Sequence, residues 1–116
     1  MIRAICKLTG LDWLTVYLSI CLQGAVMGEM PSVNKTWMTW LRGQGYKREA
    51  VPDLCPDCYT VADFCKDHPD GDFLLMVPGH VVCASGGNYF DTWDSGEETV
   101  LFYWLRSVDN GVDESV

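Results

Sequence analysis

Apolar residues recur at three- and four-residue steps through the first part of the chain and gather in short runs bounded by turn residues through its last third, so the pattern predicts helices first and strands last. Residues 2–9 predict a short helix with Ile2, Ile5, Cys6 and Thr9 on one face and Gly10 as its stop, beginning with no capping residue ahead of it. A second helix starts from Asp12 as cap and repeats Trp13, Val16, Tyr17, Ile20, Cys21 and Gly24 until residues 27–30, before Pro31. Ser32 or Asn34 is positioned to cap a third helix, which carries Trp37, Met38, Trp40 and Leu41 to a stop at Gly43 and Gly45; its aromatic stripe reads as core. A short strand at 46–48 and a loop at 51–59 precede Thr60, the cap of a fourth helix. Val61, Phe64 and Cys65 point inward there, and His68-Pro69-Asp70-Gly71 ends it. Strands are predicted at 72–77, 80–85, 88–93 and 99–105. Helices followed by an antiparallel meander make an α+β domain.

Within that meander, Gly86-Gly87 separates two apolar runs and suits the positive φ values of a two-residue turn. Ser85 then pairs with Asn88, Val82 with Asp91 and His80 with Trp93. Side chains alternate across a strand, so His80, Val82, Asp91 and Trp93 share a face, with Asp91 diagonal to His80 at ~7 Å between backbones. Asp94 points to the other face. A three-residue loop would instead pair His80 directly with Asp94, so Asp91 is the preferred partner and Asp94 the alternative. A histidine held by a carboxylate has its tautomer fixed and its cation stabilised, which suits a general base or the partner of a thiolate. Two such residues equally suit a solvated strand start and a turn; a nucleophile would be the third member.

The totals bound what this hairpin serves. The 116 residues make one domain over residues 1–108, with an acidic tail at 109–116. Nearly half the residues are apolar, and five Trp, five Tyr and four Phe allow a core without metal or disulfide. No apolar run reaches the ~20 residues of a membrane span and no basic stretch leads into residues 14–26, so neither a membrane segment nor a signal peptide is expected. The net charge of −8 is uneven, with six of eight basic residues before residue 50 and thirteen of sixteen acidic ones after it. That balance argues against nucleic acid as a partner and admits a cationic one. Six cysteines with no export signal fit the cytoplasm.

Cys55, Cys58, Cys65 and His68 have the spacing C-x2-C-x6-C-x2-H, four ligand types able to hold zinc tetrahedrally. Zinc is therefore the one cofactor candidate in a chain that otherwise requires none, and a small zinc-stabilised interaction protein is one reading. Against it, Cys65 lies on the inward face of its helix and His68 in a helix-ending turn, as structural residues would.

Gly79-His80-Val81-Val82 followed by Tyr89-Phe90-Asp91-Thr92-Trp93-Asp94-Ser95 resembles a family of small papain-like cysteine peptidase domains of bacteria and their phages. Thr60-Val61-Ala62-Asp63-Phe64 with His68-Pro69-Asp70-Gly71, and Arg3-Ala4-Ile5 with Thr9-Gly10-Leu11-Asp12-Trp13, extend the resemblance over nearly the whole chain. It implies a papain-like fold, N-terminal helices packed on a C-terminal sheet, and thiol attack on a peptide or isopeptide bond. His80 would be the base and Asp91 the orienter, with Asp94 the alternative. In the family the nucleophilic cysteine opens the first helix, where the helix dipole and the histidine lower its pKa. It stands three residues before the arginine matching Arg3, immediately upstream of Met1. A truncated enzyme, an inactive relative, or replacement by Cys6 would each account for this. Truncation is preferred, because the first helix lacks a cap and Cys6 lies about one and a half turns into it, away from its positive end. The alternative function is a peptide- or protein-binding module on the same fold.

Overall fold

The two continuous apolar runs between Asp72 and Ser85, buried on both faces, build the centre of the sheet. The computed structural model describes residues 1–51, 59–91 and 94–106. The expected acidic tail at 109–116 and the paired cysteines Cys55 and Cys58 lie outside them, as does Trp93. In order come α1 (Ile2–Thr9), α2 (Trp13–Met27), α3 (Asn34–Gly43), β1 (Tyr46–Ala50), α4 (Val61–Asp67), β2 (Asp72–Val77), β3 (His80–Ser85), β4 (Asn88–Phe90) and β5 (Phe102–Arg106). The chain is α+β, four helices with a five-stranded antiparallel sheet.

Strand order is β1-β5-β2-β3-β4, which corrects the simple meander. Strands β2, β3 and β4 do follow one another, but β5 returns to the far edge of β2 and accepts β1 on its other side. The chain reaches that edge through Thr99, which bridges Thr60, and through Leu101, whose N–H donates to Met76 O at 2.8 Å. The ladder therefore starts at Phe102 rather than Thr99.

Alternation along each strand sorts its residues to two cores. Leu74, Val81, Cys83 and Trp104 meet α1, α2 and α3 on one face, while Leu75, Val77, Val82 and Ala84 meet Val61, Phe64 and Cys65 of α4 on the other. Helix α4 is held by a full capping box: Thr60 Oγ1 accepts from Asp63 N and Asp63 accepts from Thr60 N, each at 3.2 Å. Among the described residues, no single helix is long and apolar enough to cross a membrane.

Three local expectations need correcting. Helix α1 buries Ile5 as expected, but its other buried residues are Ala4 and Leu8, with Ile2 and Cys6 only partly buried against the core. Thr9 instead donates to Ile5 O and accepts from Leu11 N, closing the helix before Gly10, whose φ of 77° makes the stop. Helix α2 buries only Val16, Ile20 and Gly24, leaving Trp13 and Tyr17 exposed; it is apolar on nearly all sides, so periodicity could not choose its inner face. Neither Ser32 nor Asn34 caps α3. Val33 occupies the cap, and Asn34 Oδ1 accepts from Trp37 Nε1 at 3.1 Å. The aromatic stripe of α3 does lie in the core, with Trp37 and Trp40 both buried.

Candidate active site

Gly86 and Gly87 both take positive φ, 58° and 81°, and the turn between them pairs Ser85 with Asn88, Ala84 with Tyr89 and Cys83 with Phe90. This is the register of the two-residue turn. It brings the end of β4 alongside the start of β3, and there His80 Nε2 lies 2.8 Å from both carboxylate oxygens of Asp91. The Asp91 side chain is only 5% exposed and that of His80 22%. A carboxylate this buried requires a strong donor, and His80 Nε2–H supplies one.

Asp94 is turned elsewhere. Its Oδ1 accepts from Tyr89 Oη at 2.5 Å and from Gly96 N at 3.1 Å. These two hydrogen bonds hold the Asp94 carboxyl below its ordinary pKa, and the first of them pushes the Tyr89 phenol above its own. The fallback orienter thus organises the loop after β4, and Asp91 holds the histidine.

The pair stands in the wall of a cleft of about 480 Å³ between the start of α1 and the β3–β4 edge. Met1, Arg3, Lys7, Trp13 and Phe90 also line it. A smaller cavity of about 230 Å³ adjoins at Met1 and His80 and reaches Trp37 and Met76. Met1 caps α1 with no side-chain hydrogen bond. Its amino group is partly buried, and that burial pushes its pKa down against the opposing pull of the Asp91 charge. The N-terminal end of α1 therefore faces the His80–Asp91 pair.

The hydrophobic pattern did not reveal Arg3, Lys7, Trp13 and Phe90 as cleft residues. Their available signal was the i, i+4 spacing of Arg3 and Lys7, the only charges on α1, which places both on one side of that helix. Lys7 Nζ sits 4.2 Å from the centroid of the Phe90 ring, linking α1 to β4 across the cleft.

The described thiols lie elsewhere. Cys6 is within α1, and burial, reinforced by the Asp12 charge, raises its pKa, the reverse of what activates a thiolate. Cys83 is fully buried, its thiol pushed up to about 12 mainly by burial. Cys65 packs with Val61 and Phe64, as its helix position implied, and burial raises its pKa too. His68 stacks on Phe64 with ring centroids 4.0 Å apart, and its Nδ1 lies 3.0 Å from Phe64 O. Of the candidate zinc set, Cys65 and His68 are thus engaged with α4 and its core, and Cys55 and Cys58 lie outside the described residues. Among the described residues no group of three or more Cys, His, Asp or Glu side chains converges on a point.

Comparison of the chain with family models, with curated proteins and with solved structures finds no match.

Proposed function

We propose that this chain is a papain-like cysteine peptidase-type domain of bacterial or phage origin that works in the cytoplasm, with His80 as base and Asp91 as its orienter. The observation that carries this reading is the contact of His80 Nε2 with both oxygens of Asp91, in a cleft wall that faces the start of α1. With Nε2 committed to the carboxylate, proton exchange with a thiol falls to Nδ1. On this reading the nucleophile is a thiol at the start of α1, where the positive end of that helix and the imidazolium favour the thiolate.

In the reaction the thiolate sulfur attacks the carbonyl carbon of a peptide or isopeptide bond. The imidazolium gives its proton to the departing amine, leaving a thioester. Water, deprotonated by His80, then releases the acid and restores the thiolate. Arg3 and Lys7 make the cleft basic within an acidic chain, so a substrate with a carboxylate near the scissile bond suits it.

The second reading is a binding module that holds a peptide in the same cleft without cleaving it. It draws on the finding that, among the described residues, no cysteine lines the cleft that holds His80. Sequencing the DNA upstream of the Met1 codon and labelling the protein that begins with Cys ahead of Met1 separate the two. The enzyme reading expects an in-frame cysteine codon and labelling of that cysteine by a peptidyl electrophile, lost in His80→Ala. A stop codon there, or labelling indifferent to His80, would sink it.

A further inference from the structure

Helix α2 turns most of its large side chains to solvent. Leu14, Leu18, Leu22 and Val26 follow one another at four-residue steps, with Trp13 and Tyr17 beside them, and these six are 43% to 78% exposed. Taking about 200 Å² for a large side chain, they leave on the order of 700 Å² of contiguous surface, above the ~300–600 Å² of the largest patch on a typical monomer. No residue from Trp13 through Gly28 is charged. Periodicity alone placed Trp13 and Tyr17 inside, so the face emerges only from the fold.

We propose that this face of α2 joins a second copy of the chain. The ~700 Å² available per chain approaches the ~800 Å² that each partner contributes to a standard stable interface. A two-fold contact brings the same patch onto itself, and two bodies of charge −8 are repelled wherever their acidic residues meet. The uncharged length of α2 escapes that repulsion. The row Leu14, Leu18, Leu22, Val26 is an i±4 ridge, which interdigitates with an identical ridge at a crossing near −50°. That crossing splays the helix ends, so Asp12 of one chain stays clear of Glu29 of the other.

A lipid surface fits less well. Helices that lie on membranes carry Lys and Arg along their polar flank, whereas α2 has no basic residue, and an acidic chain is repelled by anionic leaflets. Trp13 belongs both to this face and to the wall of the His80 cleft. The second copy therefore borders the cleft, and assembly shapes the rim across which a substrate enters.

Sedimentation equilibrium of the purified chain over a wide range of concentration tests the proposal, alongside Leu18→Asp and Leu22→Asp. Both side chains are exposed, so the variants keep the wild-type circular dichroism and melting transition of the separated chain. The expected result is a reversible dimer whose dissociation constant rises about 100-fold or more in either variant, because a charge is then buried without a partner. A wild type that sediments as a monomer throughout would overturn the proposal. So would a dimer that both variants leave intact, or a monomer that floats with phosphatidylcholine–phosphatidylglycerol vesicles through the same two leucines.

Discussion

His80 and Asp91 meet at 2.8 Å although the ladder of β3 with β4 ends at Cys83 and Phe90, three residues from His80 and one from Asp91. The contact is made by side chains at the open end of the hairpin, where a cleft rather than another strand lies alongside. A buried carboxylate held in this way is a structural commitment, because its charge depends on the donors around it.

Removing the histidine leaves Asp91 as a nearly buried charge without its principal donor. His80→Ala is expected to cost about 2–4 kcal/mol, less than the ~3–5 of a fully buried pair because His80 keeps some exposure to water. Asp91→Asn, which retains an acceptor of the same shape, should cost less. Urea denaturation of the two variants checks the order; equal losses would mean that the carboxylate charge does not depend on His80.

Arg3 and Lys7 give the cleft a positive wall, so peptides carrying a carboxylate are expected to bind more tightly than neutral or basic ones of the same length. The double variant Arg3→Gln, Lys7→Gln should weaken the acidic peptide about 10-fold and leave a neutral one nearly unchanged, with the difference shrinking as salt is added. Fluorescence-anisotropy titrations at two ionic strengths measure this directly.

Gly24 lies inside α2, where alanine would ordinarily stabilise a helix by about 1 kcal/mol. Here a Cβ would stand 2.5 Å from the carbonyl oxygen of Glu29, in the segment that folds back through the Glu29 N to Gly24 O hydrogen bond. Gly24→Ala is therefore expected to destabilise, by about 1–3 kcal/mol. A raised melting temperature would show that this return segment yields freely.

The Cys83 thiol is pushed up to about 12 by burial, with the Asp72 charge reinforcing the shift and Lys7 opposing it. The folded chain thus holds a proton that the unfolded chain releases near pH 8.5. The associated stability is fully present below that pH and is lost as pH rises towards about 12. Urea midpoints measured at rising pH should fall less steeply in Cys83→Ala than in the parent chain. An unchanged slope would remove Cys83 as a contributor.

Thr60→Ala removes the side-chain half of the α4 capping box and should cost about 1 kcal/mol. Thr60→Ser restores the acceptor and most of the loss. Thermal melts of the two variants, compared with the parent, separate the cap from the packing of the threonine methyl.

The sequence by itself determined the features whose causes lie within a few residues. Gly86-Gly87 set the hairpin register, and with it the meeting of His80 with Asp91 instead of Asp94. Thr60 and Asp63 set the start of α4, and short apolar runs bounded by Gly71, Pro78-Gly79 and Gly86 placed β2 and β3. Only the tertiary structure decided which face of α2 turns inward, that β5 lies between β1 and β2, and that Arg3, Lys7, Trp13 and Phe90 line one cleft with His80. The physical reason is range. Turn geometry, capping and alternation are fixed by the backbone near each residue, whereas an all-apolar helix and a strand with two open edges are placed by the area they bury against distant parts of the chain.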